Sequence, residues 1–192
     1  MPFNPPVITI LLAALLLQGC GALVVGGAAT GVSVIHDRRS AGVVIDDQNI
    51  EIKAINQLMS DSELSGRSNV SATSYNHVVL LTGQADTASL RQRAQSIVSR
   101  ITPVKRVVNE IAVGPSVSLT RQGQDSWITS KVKLELLEID IDSFDASRVK
   151  VVTENGVVFL MGLVTQAEAT AAVEKARWVD GVAKVVKVFE YI

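Results

Sequence analysis

The chain has 192 residues with a formal net charge of −1, and 19% of them are charged against 47% hydrophobic. Near-zero charge argues against a nucleic-acid binder, which shows a strongly basic footprint. The abundance of Val, Ala and Ile, with only 4% aromatics, suits small α/β units rather than a disordered chain. In chain order the first element is the apolar run Ile8 to Cys20, ITILLAALLLQGC. It is short of the ~20 apolar residues that a transmembrane helix needs and has the size of a secretory signal's hydrophobic segment. Gly21 to about Ile45 is rich in Gly, Ala and Val and reads as a tether; Ala22–Ile35 is too short for a second membrane pass.

Leu17-Gln18-Gly19-Cys20 resembles the lipobox of bacterial lipoproteins, in which the cysteine becomes the acylated first residue of the mature chain. Cys20 is the only cysteine, so it forms no internal disulfide. Met1 to Val7 carries no Lys or Arg, a departure from the basic start of most signals. The resemblance implies a signal peptide at 1–19, a lipidated tether at 20–45 and, with Gly21 rather than Asp after the cysteine, sorting to the outer membrane. A diacyl or triacyl anchor buries methylenes at about 0.8 kcal/mol each, which makes attachment effectively permanent.

The remainder contains itself twice. Val70–Gly83 lies over Val149–Gly162 without a gap, Val104–Ile111 over Val182–Phe189 after a one-residue deletion, and Ile50, Lys53 and Leu58 match Ile128, Lys131 and Leu136. Three blocks in one order define two copies of one domain, 46–115 and 124–192, joined by a turn-rich linker at 116–123. Each copy reads helix, strand, strand, helix, strand. Asp125 is placed as the N-cap of the second copy's first helix, Asp125–Glu138, and Asp86 as that of the first copy's second helix. Asn155-Gly156 between β-branched runs is a strong hairpin signal. Thr165-Gln-Ala-Glu168 has capping-box spacing before an alanine-rich helix that stops at Gly181. Strands are predicted near 69–74, 78–83, 106–112, 148–153, 157–162 and 183–190, with antiparallel hairpins.

A Val-rich hairpin ending in Gly83 or Gly162, then a helix, then a closing strand such as Val104-Lys-Arg-Val-Val resembles the BON domain. Two such domains behind Ala14–Cys20 are similar to dual-BON outer-membrane lipoproteins. The resemblance implies an α+β fold, with two helices on one face of a small three-stranded sheet in each copy. It also implies a non-catalytic, phospholipid-interacting periplasmic protein that supports envelope integrity and gathers at division sites. Pro103 stands where the pattern has the glycine matching Gly181.

The residues offer little chemistry. His36 lies in the tether, and His77 matches Gly156 in a hairpin turn, where His tolerates positive φ. Ser126, Ser130 and Ser143 have no histidine near them in sequence. Asp140–Asp145 lacks the glycine of a calcium loop and has Val151 where the twelfth-position Glu belongs. No metal or cofactor is expected, and a monomer is favoured. Glu135, Glu138, Asp140 and Asp142 crowd a helix C-terminus, against its dipole.

One helix carries more apolar surface than a fold needs. Ile128, Val132 and Leu136 share the arc that faces a sheet, while Trp127, Leu134 and Leu137 cluster opposite, with Ser130, Lys131 and Lys133 among and beside them. The matching positions of Trp127 and Leu134 in the first copy are Asn49 and Asn56. Trp with nearby Lys suits an anionic phospholipid surface, with free N–H groups near Asp125–Thr129 and the charges of Lys131, Lys133 and Arg121 assisting. The competing readings are that this stripe packs against the first copy, whose Ile52, Ile55 and Met59 also look surplus, or that it docks an envelope protein partner. A free sheet edge would serve the second.

Overall fold

The computed structural model describes residues 37–192, so Cys20, its signal-like segment and His36 lie outside the described residues. The first copy contains α1 (Ala41–Ser60), β1 (Ser68–Tyr75), β2 (Val78–Ala85), α2 (Ala88–Ser99), β3 (Arg106–Asn109) and β4 (Ala112–Val113). The second contains α3 (Leu119–Leu137), a 3-10 turn (Ala146–Arg148), β5 (Val149–Glu154), β6 (Val157–Val164), α4 (Gln166–Arg177) and β7 (Lys184–Tyr191). This is the helix-strand-strand-helix-strand plan in duplicate.

Both hairpins are antiparallel, running from Ser68↔Ala85 to Tyr75↔Val78 and from Val149↔Gly162 to Glu154↔Val157. Their two-residue turns hold Asn76-His77 at φ 51° and 65° and Asn155-Gly156 at 49° and 78°. Two left-handed residues in a row match the twist of the flanking strands. His77 is thus a turn residue. Gly83 and Gly162 close the hairpins because a Cβ there would lie 2.0 Å from the Asn69 carbonyl oxygen and 2.6 Å from that of Arg148. The third strand runs parallel to the central one in each sheet, β3 and β4 along β2 and β7 along β6. The strand expected at 106–112 is split because Asn109 accepts the Ile111 N–H on its side-chain oxygen and donates to Arg91 and Gln95, drawing the chain off the ladder.

Helix starts differ from the sequence reading. Ser40 caps α1, so Ala41–Ile45, expected in the tether, already form its first turn. Thr87, not Asp86, caps α2, accepting from the Leu90 N–H. Ser118 caps α3, seven residues before the expected cap at Asp125, so much of the presumed linker is helical. The cause is local: Ser118 bonds the Arg121 N–H at 3.2 Å and supplies the cap, while the next residues bury no apolar stripe and contain Gly123, which costs about 1 kcal/mol in a helix. Thr165 and Glu168 form the anticipated capping box of α4. The Thr102–Pro103 peptide is cis.

Three cores hold the described residues together as one unit. Ile50, Ala54 and Leu58 of α1 and Leu90, Ala94 and Val98 of α2 pack on one face of the first sheet, against Ala72, Val79 and Leu81. The second copy repeats this with Ile128, Val132, Leu136, Ala169, Ala172 and Ala176 against Val151, Val158 and Leu160. The opposite sheet faces meet each other, Tyr75, Val78 and Leu80 against Phe159, Met161 and Val188. Helices, sheet, sheet, helices is the resulting order of layers, with α1 and α3 on opposite outer sides. Each fully buried side chain of this size contributes about 1.5–3 kcal/mol, so the seam is a substantial third core. It explains why β2 is buried at every position. Inter-copy packing runs through the sheets, not through the stripe on α3.

Candidate functional site

The helix α3 is positioned by its buried arc and by one carboxylate. Asp125, expected as an N-cap, is instead buried within the helix and accepts the Asn155 and Gly156 N–H groups of the hairpin turn at 2.8 and 2.9 Å. Asp47 occupies the same place under the first hairpin, accepting from the Asn76 and His77 N–H groups at 2.8 Å. This paired clamp between first helix and hairpin turn was missed from sequence. The signal was present, since the two aspartates fall at matching repeat positions.

The exposed side of α3 is apolar. Trp127 is 66%, Leu134 63% and Leu137 70% exposed, and Leu119, which the sequence reading left outside the helix, is 84% exposed. At about 100° per residue all four lie on one side, opposite Ile128, Val132 and Leu136. The expected polar groups take different positions. Lys133 is exposed and, among the described residues, has no ion-pair partner. Lys131 instead donates to the Asp180 carbonyl oxygen at 2.6 Å and stands 3.6 Å from its carboxylate. Ser130 turns back to donate to the Ser126 carbonyl oxygen. Arg121 is directed at Gln124 and Asp125 and packs over Gly156. The N–H groups near Asp125–Thr129 are interior to the helix, so the helix-terminus contribution proposed from sequence does not apply there.

The acidic crowding at the end of α3 has a partner. Lys175 of α4 lies 2.9 Å from Glu138 and 3.5 Å from Glu135. The hydrogen bond to Glu138, with the charge of both carboxylates, raises the Lys175 pKa above its ordinary value. In the Asp140–Asp145 loop Asp145 accepts the Ser147 N–H and caps the 3-10 turn. Among the described residues no group of three or more His, Cys, Asp or Glu side chains could hold a metal. None of their helices is long and apolar enough to cross a membrane.

An N-terminal arm, Asp37–Arg39, reaches this region and was read as tether. Arg38 grips buried Glu168 through two bonds of 2.7 and 2.8 Å and donates to the Leu163 carbonyl oxygen at 2.9 Å. That guanidinium holds the Glu168 carboxyl below its usual range. Arg39 binds Asp47 at 2.8 Å and Asp37 at 2.6 Å, and lies 3.8 Å over the Tyr75 ring. The arm therefore ties the second copy through Arg38 and the first through Arg39. Beside it a groove of about 480 Å³ runs between the C-terminal half of α3, the 3-10 turn and β5, with Arg39 and Tyr75 at one wall.

The model of the BON domain matches residues 46–115 and 124–192. The chain is 40% identical over 181 residues to a Haemophilus influenzae protein named outer membrane lipoprotein DolP, covering 94% of this chain and 92% of that one. It is also 40% identical over 156 residues to the 21 kDa hemolysin of Actinobacillus pleuropneumoniae, covering 81% and 79%. With both halves matched, and with the hairpins, buried carboxylates and helix pairs repeated between them, the chain belongs to the BON-domain family and carries the domain twice.

Proposed function

We propose that this is a non-catalytic lipoprotein, anchored in the outer membrane through Cys20, that engages anionic phospholipid with the exposed side of α3 and supports envelope integrity. The observation that carries the reading is the exposed Trp127–Leu134–Leu137 stripe, which fills neither its own core nor the seam between the copies. An indole at headgroup depth, leucines below it and a lysine beside it is the composition of an interfacial contact. The name of the Haemophilus influenzae relative supports the outer-membrane assignment. Signal cleavage after Gly19, acylation of Cys20 and enrichment at division sites belong to the same proposal.

The test is vesicle binding by the 36–192 fragment, which retains all three cores. Trp127→Glu is expected to reduce binding to phosphatidylglycerol vesicles at least tenfold, with the melting temperature within about 2 °C of the parent because a surface substitution rarely exceeds ±0.5 kcal/mol. A large fall in melting temperature with binding intact would return the residue to a structural role and defeat the lipid reading. A second reading, a protein-binding adaptor, is favoured by the edge strands β1 and β5, each of which pairs on one side only. It predicts that a periplasmic partner, rather than vesicles, responds to changes on those edges.

A further inference from the structure

The outer edge of β1 is closed at one end and open at the other. At the closed end the Ser74 N–H donates to Glu51 at 2.7 Å, and the Ser74 carbonyl oxygen accepts from Lys150 at 3.2 Å. Both groups therefore point away from β2, and β1 pairs with β2 residue for residue from Ser68 to Tyr75 without a bulge. Backbone groups alternate along a strand with period two, so the N–H and C=O groups of Ala72 and Val70 face the same way. Among the described residues no group bonds them.

Two hollows flank this open stretch, one on each face of β1. On the helix side a groove of about 540 Å³ is walled by Ile55, Leu58, Met59 and Leu64 and runs along Ser68–Ala72. No charged side chain lines it, and Met59 is 75% exposed. On the other side a polar hollow of about 240 Å³ lies against Asn69 and Ser71, with Asp125 and Glu154 in its wall and no cation. A ligand that merely filled the groove would leave the edge donors and acceptors unmatched; another extended backbone matches both at once. A strand added here sends alternate side chains to opposite faces, and those faces are the apolar groove and the carboxylate-lined hollow.

The second copy does not offer this combination. The groove along its own edge strand, β5, is lined by Arg39 of the arm, Lys133 and Lys150, so a basic segment meets like charge there.

We propose that the Ser68–Ala72 edge of β1 takes up an extended segment of a partner protein in which apolar residues alternate with lysine or arginine. The inference narrows the adaptor reading to one edge and one class of segment, and it is independent of the lipid contact of α3.

The test is titration of the 36–192 fragment with a short capped peptide of alternating valine and lysine, followed by backbone amide shifts and hydrogen exchange. Saturable binding is expected, with slowed exchange at the Val70 and Ala72 amides. The same peptide N-methylated at alternate amides, and one with glutamate in place of lysine, should each bind at least tenfold more weakly. Val70→Pro removes an edge donor that takes no part in the β1–β2 ladder, and proline is tolerated on edge strands. It should weaken the peptide at least tenfold and leave vesicle binding within twofold. Should that variant fail to fold, Met59→Glu, at an exposed position, should weaken the peptide at least fivefold. Equal binding of the N-methylated peptide would mean that no strand is added, and a dimer with protected Val70 amides would give the edge to a second copy; either overturns the proposal. Shifts confined to Val149 and Val151 would keep the adaptor reading and overturn the assignment to β1. Binding at neither edge would defeat both, with the lipid reading still to be judged on Trp127→Glu.

Discussion

The first helices of the two copies, α1 and α3, do the same structural work and present different outer surfaces. Each buries one stripe on its sheet and one aspartate under its hairpin. Outside, α1 exposes the aliphatic Ile45, Ile52 and Met59 with Asn49 and Asn56 between them, whereas α3 exposes Trp127, Leu134 and Leu137. What the copies share is what the fold requires. What differs was free to take another role, and it differs in the aromatic ring and in Lys133, where α1 has Ile55.

The largest effect should come from the shared part. Asp47→Ala strands two turn N–H groups and the Ser74 hydroxyl and takes from Arg39 one of its two carboxylates, and removing one member of such a buried charged cluster costs about 3–5 kcal/mol. Asp125→Ala strands the two turn N–H groups, with Arg121 only 3.6 Å away, and should cost about 1–3 kcal/mol. Urea denaturation of both variants checks the order. Equal losses would erase the asymmetry that the arm gives to the first clamp.

The unshared part can be transplanted. Because α1 and α3 lie on opposite outer layers, Asn49→Trp with Asn56→Leu should create a second membrane face pointing away from the first. The fragment should then cross-link phosphatidylglycerol vesicles, visible as turbidity that the parent does not produce. Binding without clustering would mean that the two faces address one surface and that the layer order is misread.

Smaller differences lie within α3. Each cation near an anionic surface is worth about 1 kcal/mol, so Lys133→Ala should weaken vesicle binding roughly fivefold. Lys131→Ala should do less, since Lys131 is held by Asp180. Both losses should shrink as salt rises; a greater effect at Lys131 would show that it leaves Asp180 on binding.

The smallest effect is the pH dependence of stability. Burial, with Asp125 nearby, raises Glu154 above its ordinary 4.5, against the Gln84 bond, so the folded state takes up a proton first and is favoured as pH falls toward 4.5 from above. Glu168 is displaced downward by Arg38; its contribution is present above about 4.5 and lost as pH falls below that. Melting curves of Glu154→Gln should therefore show a gain over the parent at neutral pH that vanishes near pH 4.5. A gain that persists below that value would exclude Glu154 as its source.

The repeat, the hairpins and the exposed stripe were legible because they rest on periodicity and turn chemistry, which are local. The sheet-to-sheet seam was legible only in part. Val78-Val-Leu-Leu81 and Val158-Phe-Leu-Met161 are unbroken apolar runs, as strands buried on both faces are, but nothing local says that they bury against each other. The start of α3 was missed because Ser118–Gln124 carries a cap and no buried stripe. The arm was missed because two adjacent arginines after a Gly/Ala/Val-rich stretch look like a solvated end, and their partners Glu168 and Asp47 lie far away in sequence or across a helix start.

That arm has a mechanical consequence. Were the chain anchored through Cys20, as proposed, tension from the membrane would enter the fold at Asp37–Arg39. The pull first meets two guanidinium clamps, Arg38 on the head of α4 and Arg39 on the clamp beneath the first hairpin. Tension is thereby divided between the two copies in parallel, and α1 is shielded from being peeled open turn by turn from Ser40. Cutting either clamp should convert shear across the pair into unzipping of a single helix, with a lower rupture force when the protein is drawn by its N-terminus.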